Sequence, residues 1–357
     1  MKPPQCARCG ICLPACPTYR VEMREASGPR GRLLLLKSLA EGEVEDVQGL
    51  REPLYTCTLC GACQDACPQP LPIVDAIRNA RARLVSLGVE PPEAYRRVRE
   101  SMQRWGNPLG VERTEAPAWD AEKTECVLFS GCVATYLRRE VLDAAEAVLE
   151  AAGIKHITLK GVCCGAPLLR AGYVEDARRL AEENVRRLGS RVNGLIVLCP
   201  HCQRAFMEDY KLLVGTSMPA VHITQLVDRL ISEGRLKLEE GVELRVAYHD
   251  PCNLGRGLGV YEEPRRVLQS IPEMRLVELK HNRGHSLCCG GAHPWGYPKL
   301  SMELARRRLQ EALSVGADVL ATSCPHCYQS LLNAALHHAR ELTVASVVEV
   351  AAEAVRR

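Results

Sequence analysis

The stretch Cys57-Thr-Leu-Cys60-Gly-Ala-Cys63-Gln-Asp-Ala-Cys67-Pro68 repeats the cysteine spacing of the earlier stretch Cys6-Ala-Arg-Cys9-Gly-Ile-Cys12-Leu-Pro-Ala-Cys16-Pro17. A helical pattern from Arg32 to Glu41 separates the two copies, and a second pattern follows from Ile73 to Leu87 with apolar residues at helical spacing. Another helix is predicted from Ala94 to Trp105. We therefore expect a mostly helical first domain over residues 1–90 and a helical linker over 91–123, which ends in a polar connection reaching Lys123.

The spacing Cys-x2-Cys-x2-Cys-x3-Cys-Pro is that of the bacterial ferredoxin run, in which three cysteines hold one [4Fe-4S] cluster and the fourth serves the other cluster. On this pattern the first cluster would be held by Cys6, Cys9, Cys12 and Cys67, and the second by Cys57, Cys60, Cys63 and Cys16. Gly10 and Gly61 would let backbone amides approach the sulfurs. A pair of zinc sites is the alternative, although zinc sites usually pair two separated Cys-x2-Cys knuckles.

A second internal repeat begins near residue 125, with an offset of about 120–125 residues. Each half alternates short β-rich runs with helical runs, such as Leu137 to Ala152 and Leu300 to Val315, which favours parallel βαβ units. The two halves predict α/β domains with parallel sheets over residues 124–240 and 241–357. The whole chain is then α+β, with the C-terminal apolar run from Thr343 taken as a helix.

Each half also carries five cysteines in one order: a single cysteine, a Cys-Cys-Gly core and a Cys-Pro-His-Cys. The first set is Cys132, Cys163, Cys164, Cys199 and Cys202, and the second set is Cys252, Cys288, Cys289, Cys324 and Cys327. The single cysteines and the first cysteines of the Cys-Pro-His-Cys runs close predicted strands, so the thiols should gather at one sheet edge. Because a regular cubane needs four thiolates, five predict a distorted cluster, with zinc as an alternative metal at the first set.

Several other residues have simpler interpretations. Cys126 is predicted to be a buried core thiol, and His201 and His326 to be histidines near solvent at helix starts, while His249 stays ambiguous. The run Gly255-Arg-Gly-Leu-Gly259 lacks the spacing of a dinucleotide site, so no NAD or flavin is expected in this chain. The arginines at positions 20, 24, 30 and 32 are interpreted as a solvated face.

The arrangement of one Cys, a Cys-Cys-Gly and a Cys-x2-Cys resembles the cysteine-rich Cys-Cys-Gly domain family. Behind two ferredoxin motifs, and with Gly28-Pro-Arg-Gly-Arg32 after the first, nearly the whole chain resembles the D subunit of heterodisulfide reductase and the iron-sulfur subunit of glycolate oxidase. The glycolate oxidase type typically lacks a complete terminal Cys-x2-Cys, which this chain keeps in both halves. The resemblance implies two cubane and two noncubane [4Fe-4S] clusters.

The resemblance implies an iron-sulfur electron-transfer subunit that works with an FAD-containing 2-hydroxy-acid dehydrogenase of the glycolate or D-lactate type and passes electrons to a quinone-linked acceptor. The alternative is a catalytic subunit that reduces a disulfide at the second set, Cys252, Cys288, Cys289, Cys324 and Cys327, with a membrane b-type cytochrome as partner. A zinc-stabilised scaffold is an alternative of another class.

The amino-acid composition indicates the cellular compartment in which the protein is expected. Nineteen cysteines among 357 residues predict metal binding in a reducing compartment rather than disulfides, and the N-terminus leaves no room for a secretory signal before Cys6. We therefore expect the cytoplasm, with any membrane contact made through a partner. A net charge of +3, an aromatic share of 4% and the lack of long apolar runs argue against nucleic-acid binding and transmembrane segments.

Overall fold

The N-terminal segment is helical, as the sequence predicts. The computed structural model describes residues 5–112, 124–189, 194–241, 243–291 and 296–355. Its first helices are α1 Pro17–Glu22, α2 Pro29–Glu41, α3 Arg51–Tyr55, α4 Ala62–Asp65, α5 Ile73–Ser86 and α6 Glu93–Trp105. The predicted linker is thus a helix in its first half, and its last part, residues 113–123, lies outside the described residues.

The first repeat is a four-stranded parallel sheet flanked by helices. Its strands are β1 Cys126–Ser130, β2 His156–Lys160, β3 Leu195–Val197 and β4 Ala220–His222, in the order β2-β1-β3-β4. Its helices are α7 Gly131–Tyr136, α8 Arg139–Ala151, α9 Ala166–Ala171, α10 Val174–Leu188, α11 Pro200–Arg204, α12 Tyr210–Val214 and α13 Ile223–Ser232. The predicted parallel βαβ architecture is therefore confirmed.

The second repeat has the same topology. Its strands are β5 Leu244–His249, β6 Met274–Val277, β7 Val319–Thr322 and β8 Thr343–Ser346, in the order β6-β5-β7-β8. Its helices are α14 Gly255–Leu258, α15 Glu263–Gln269, α16 Pro298–Ser314, α17 Pro325–His338 and α18 Val347–Ala354. The expectation of a helix from Thr343 was wrong, because residues 343–346 pair with β7 before Ser346 caps α18.

The two repeats and the helical segment pack into one continuous apolar core. Helix α18 of the second repeat packs on α8 of the first, and α5 and α6 pack on α9. Leu36, Leu54 and Ile77 of the helical segment are completely or almost completely buried. The division into segments 1–90, 91–123, 124–240 and 241–357 stays a prediction, but the shared core explains how cysteines from all parts of the chain come close together.

The motif Gly28-Pro-Arg-Gly-Arg32 packs the start of α2 against the first cysteine run. A Cβ at Gly31 would lie 2.1 Å from the backbone oxygen of Glu25. The Arg32 side chain, expected on a solvated face, is instead buried and donates hydrogen bonds to the hydroxyl of Thr18 at 3.1 Å and to the backbone oxygen of Pro53 at 2.6 Å. That expectation was wrong for Arg32, because the neighbouring loops supply its acceptors.

We expect Gly31→Ala to destabilise the protein by about 1–3 kcal/mol, since the added methyl group must displace backbone that is already packed. The control is Lys37→Ala on the same helix, whose exposed ion pair with Glu41 is worth about 0.5 kcal/mol or less. Urea unfolding of the anaerobically purified protein measures the difference. Equal midpoints for the two variants would contradict the packing argument.

Candidate iron-sulfur centres

The five cysteines of the first set lie at the carboxyl ends of parallel strands. Cys132 lies in the first turn of α7 directly after β1, the Cys163-Cys164 pair follows β2, and Cys199 caps α11 after β3. The strand-end placement predicted from the sequence is confirmed. Neighbouring parallel strands end at the same sheet edge, so the thiols converge there.

The thiols of the first set lie next to one another in a continuous series. Cys132 is next to Cys163, Cys163 to Cys164, Cys164 to Cys202, and Cys202 to Cys199. All five are buried. The Gly165 amide, at a φ of 87°, lies 3.5 Å from the Cys163 sulfur, as expected for a glycine that brings backbone close to a thiolate.

The second set does not form a single series. Cys327 lies next to both Cys289 and Cys324, whereas Cys288 lies next to Cys60 of the second ferredoxin-type run, with Cys252 nearby. The amides of Gly290 and Gly291 lie 3.4 Å from the sulfurs of Cys288 and Cys289 respectively. The second set is therefore in direct contact with a cysteine of the ferredoxin-type runs.

His249, which the sequence left ambiguous, is buried and has a defined tautomer. Arg308 donates from Nε to His249 Nδ1 at 3.0 Å, so Nδ1 is an acceptor and the ring proton is on Nε2. Nε2 is buried and has no hydrogen-bond partner among the described residues, and His249, Cys289 and Cys327 each place one possible metal-ligand atom within 4.8 Å of the others. The neighbouring thiol of Cys327, and then His249, lower the pKa of Cys289. His249 is thus held beside the second set with one ring nitrogen unsatisfied.

The structure also brings together the two ligand groups predicted for the ferredoxin-type runs. The pKa of Cys12 is raised to about 11, chiefly by burial and also by the neighbouring thiols of Cys6, Cys67 and Cys9. The structure thus places Cys67, from the second run, beside the first three cysteines of the first run.

The reciprocal exchange occurs in the second group. Burial and then the charges of Cys57, Cys60 and Cys16 raise the pKa of Cys63. A small cavity is lined by the same four cysteines, together with Arg32 and the apolar side chains of Ile73 and Ile77. These residues fit a [4Fe-4S] cluster, because four soft thiol donors converge on an enclosed space.

Two sulfur contacts join three of these groups into one series. Cys60 lies next to Cys288, which connects the second ferredoxin-type group to the second set. Cys199 lies next to Cys324, which connects the two repeats. Electron transfer between redox centres requires short separations, and the first ferredoxin-type group is near enough to the second for the charge of Cys12 to act on Cys63.

Arg256 lies at the contact between Cys60 and Cys288. It donates from Nε to the Cys60 oxygen at 2.8 Å, and from Nη1 to the Gly284 and Ser286 oxygens at 2.9 and 2.8 Å. Its Nη2 is buried and has no hydrogen-bond partner in the part of the chain that the structure describes. Arg256 therefore ties the two segments together and leaves one charged N–H group for a sulfur acceptor.

The sequence reasoning missed Arg256 because its partners are backbone oxygens from distant loops. The flanking glycines were a signal: a Cβ at Gly255 would lie 2.5 Å from the Tyr261 ring, and one at Gly257 would lie 2.8 Å from Arg204. Gly255 and Gly257 thus allow the close packing around α14.

His201 and His326 lie in the first turns of α11 and α17, as expected, and are half-buried rather than open to solvent. Their rings pack edge-on with centroids 5.0 Å apart between the two repeats, and both bond the sulfur of Cys199. Asn253 lies 2.9 Å from Nε2 of His201. Cys126, by contrast, is a buried thiol in β1, as predicted, and burial raises its pKa to about 11.

Comparison with known proteins agrees with this arrangement. The 4Fe-4S dicluster domain family matches residues 4–71, and the cysteine-rich domain family matches residues 126–207 and 246–332. The D subunit of the dihydromethanophenazine:CoB--CoM heterodisulfide reductase of Methanosarcina acetivorans is 31% identical over 98% of this chain and 93% of its own length. The chain belongs to the family of heterodisulfide reductase D subunits.

Other iron-sulfur proteins of this kind are also similar to the chain. The B subunit of the fumarate reductase (CoM/CoB) of Methanothermobacter marburgensis is 30% identical over 90% of the chain and 66% of its own length. The EtfAB:quinone oxidoreductase of Syntrophomonas wolfei is 26% identical over 90% of the chain and 54% of its own length. As a member of the D-subunit family, the chain binds [4Fe-4S] clusters and is an iron-sulfur electron-transfer subunit of an oxidoreductase.

A solved structure shares the fold of this member of the D-subunit family. The structure of a hypothetical protein from Helicobacter pylori has a TM-score of 0.64, with 12% identity, over 92% of this chain and 67% of that chain. No helix among the described residues has the length and apolar character that a bilayer crossing needs.

We expect spectroscopy to group the cysteine variants by contact rather than by sequence. Cys16→Ser and Cys63→Ser should perturb one paramagnetic signal, and Cys67→Ser and Cys12→Ser another, because each run lends its fourth cysteine to the other group. Cys126→Ala serves as the control and should change neither signal. If Cys16→Ser affects the same signal as Cys12→Ser, the exchanged pairing is wrong.

We expect Arg256→Met to lower the reduction potential measured for the second ferredoxin-type group, because a positive charge beside the sulfurs stabilises the reduced, more negative state. Arg256→Lys keeps the charge and should shift the potential less. Arg245→Met is the control, since Arg245 donates to a backbone oxygen on the exposed side of the second repeat. An anaerobic redox titration followed by paramagnetic resonance distinguishes these outcomes, and an unchanged potential in Arg256→Met would contradict the assigned role.

Proposed function

We propose that this chain carries the reaction centre of an oxidoreductase complex that interconverts a disulfide and two thiols. The observation that carries the proposal is the continuous series of cysteine contacts, which begins at a solvent-exposed group and ends beside a cavity between the repeats. That cavity, whose water-accessible volume is about 40 Å³, is lined by all five cysteines of the first set and by His201, His326 and Gly291. If this series of cysteine contacts ended in closely packed core with no cavity, it would fit an electron carrier but not a reaction centre.

The exposed end is a suitable place for a partner. Cys9 is solvent-exposed, and Ile11 beside it is 55% exposed although it is a large apolar residue. A partner that covers this loop would stand next to Cys6, Cys9, Cys12 and Cys67. We propose an FAD-containing protein or a membrane b-type cytochrome at this position, with the protein in the cytoplasm and at the membrane only through that partner.

The groups of cysteines have different roles, which follow from what each group lies next to. We propose that Cys6, Cys9, Cys12 and Cys67 hold one cubane [4Fe-4S] cluster, and that Cys57, Cys60, Cys63 and Cys16 hold the other. Bound iron-sulfur clusters supply one-electron redox chemistry. The five-thiol sites are where two such electrons would reduce one disulfide. The second set, Cys252, Cys288, Cys289, Cys324 and Cys327, lies between Cys60 and the first set, so it connects the carrier part of the chain to the reaction part.

The reaction balances in atoms and electrons. One disulfide takes up two electrons and two protons, its S–S bond breaks, and two thiols are formed; the reverse reaction returns both electrons to the partner. His201 and His326 are within hydrogen-bonding range of Cys199 at the cavity wall. They are placed to donate hydrogen bonds to sulfur there, and Asn253 holds the His201 ring in position.

A carrier role for a glycolate or D-lactate type dehydrogenase is the second candidate. The exposed loop around Ile11 would serve such a flavoprotein equally well, because it offers an apolar contact next to the first group of cysteines. In that case the cavity between the repeats would have no substrate, and electrons would leave to a quinone-linked partner.

Metal analysis and turnover test the proposal together. After anaerobic purification we expect about sixteen irons per chain, since four sites would hold four irons each. Stoichiometric zinc at the first set, Cys132, Cys163, Cys164, Cys199 and Cys202, would contradict the proposal there.

Reduction of a disulfide by the loaded protein, with reduced methyl viologen as donor of two single electrons, should depend on that set. It should be abolished in Cys164→Ala, whereas Cys126→Ala should keep full activity. Turnover that occurs only with an added flavoprotein dehydrogenase would favour the carrier.

A further inference from the structure

We propose that His249 donates a hydrogen bond from Nε2 to a sulfur of the iron-sulfur cluster held by the second set, and that this bond raises the reduction potential of that cluster. The inference rests on the part of the proposed function that places a cluster at the second set, and not on the disulfide reaction. It follows from the fixed tautomer of the His249 ring, from its unsatisfied nitrogen and from the different residue at the equivalent position of the first repeat.

Arg308 determines which ring nitrogen of His249 carries the proton. Its Nε donates to Nδ1 of His249 at 3.0 Å, and because a guanidinium has no acceptor atom, Nδ1 is the accepting nitrogen. Arg308 is completely buried and is held in place, since its Nη1 donates to the backbone oxygen of His281 and to Oε2 of Glu311, both at 2.8 Å. The neutral ring therefore carries its proton on Nε2.

The proton on Nε2 of His249 lies in a region of sulfur atoms. His249 is the last residue of β5 and is 1% exposed, and its Nε2 has no hydrogen-bond partner among the described residues. The sulfurs of Cys289 and Cys327 lie within 4.8 Å of a ring nitrogen. A buried N–H group without an acceptor is unfavourable, and the electron-rich sulfurs of a bound cluster accept hydrogen bonds.

His222 shows how a histidine with a packing role is satisfied in the same chain. It ends β4 and is also 1% exposed. Its Nδ1 lies 2.9 Å from the hydroxyl of Thr224, and its Nε2 lies 3.2 Å from the backbone oxygen of Leu198. Both ring nitrogens of His222 thus have oxygen partners, whereas packing alone leaves Nε2 of His249 unexplained.

The first repeat has a different residue at the equivalent position. Ser130 ends β1 as His249 ends β5. The Ser130 hydroxyl donates to the backbone oxygen of Leu159 at 3.0 Å and lies 2.7 Å from the hydroxyl of Thr135. Ser130 is therefore bonded within its own repeat, and the two sets differ at this position although their cysteines correspond one to one.

This difference affects the direction of electron transfer. Hydrogen bonds to the sulfurs of a cluster raise its reduction potential, because they stabilise the more negative, reduced state. Cys288 of the second set lies next to Cys60, so a higher potential at the second set favours electron transfer to it from the second ferredoxin-type group. His249 thus helps to draw electrons from the helical segment into the repeats.

A redox titration of the anaerobically purified full-length chain, followed by paramagnetic resonance, tests the inference. The signal of the second set is identified as the one that is lost in Cys327→Ser. His249→Phe keeps a ring without the donor, and it should make reduction of that cluster about tenfold less favourable, as for the loss of a hydrogen bond to a charged group. For a one-electron couple this is a potential lower by about 59 mV.

Two further variants separate the donor from the ring. His249→Gln keeps an N–H donor, so its potential should fall less than that of His249→Phe. His156→Phe is the matched control, because His156 begins β2 at the sheet edge opposite the cysteines and should leave the potential unchanged. An unchanged potential in His249→Phe, with the signal of the second set still present, would overturn the inference.

Electron-nuclear double resonance on the unchanged protein covers the case in which His249→Phe loses iron. The signal of the second set should show a proton coupling that disappears in heavy water, and a weak nitrogen coupling when the histidines are isotope-labelled. Both couplings should persist in His326→Gln, which removes the ring beside Cys199. A strong nitrogen coupling, as for a histidine bound directly to iron, or the lack of any histidine coupling would overturn the inference.

The outcomes also separate this inference from the proposed function. If Cys327→Ser keeps every paramagnetic signal and the full iron content, the second set holds no cluster and both are wrong. If Cys327→Ser loses a signal whose potential is the same in His249→Phe, the cluster stands and the role of His249 is wrong. If the potential falls as expected but the protein reduces no disulfide, the role of His249 stands and the disulfide reaction is wrong.

Discussion

The contact between the sulfurs of Cys60 and Cys288 is the constraint on which the arrangement of the chain depends. It joins a loop of the helical segment to the Cys-Cys-Gly core of the second repeat, across more than two hundred residues of sequence. Arg256 secures it by bonding backbone oxygens on both sides. The contact adds to the packing of α5 and α6 on α9 and of α18 on α8, which places all three parts of the chain in one core.

The parts of the fold that depend on local pattern were predictable from the sequence. The exchanged pairing of Cys16 and Cys67, the parallel sheets and the strand-end position of Cys132 and Cys199 all follow from spacing, since spacing determines which residues share a turn or a sheet edge. The segment at Thr343 was mistaken for helix because a short buried strand and the start of an apolar helix have similar composition over four residues.

The side-chain contacts that depend on backbone atoms far away in the sequence were not predictable. Arg32, Arg170 and Arg256 look like ordinary surface cations in the sequence, yet each lies next to a group of cysteines and bonds carbonyl oxygens or hydroxyls from other segments. A single sequence does not contain the positions of those oxygens. The cavity between the repeats is hidden in the same way, because its wall combines residues from α6, α7, α9 and both Cys-Pro-His-Cys turns.

The contact between Cys199 and Cys324 has a consequence for the symmetry of the molecule. These are equivalent residues of the two repeats, so the repeats meet across an approximate twofold axis, as the two identical halves of a dimer would. In a true dimer both halves must carry the same surface. In a single chain the two halves can differ: Cys288 of the second lies next to Cys60, whereas the first lines the cavity with all five of its cysteines. Two equivalent sites therefore have unlike neighbours.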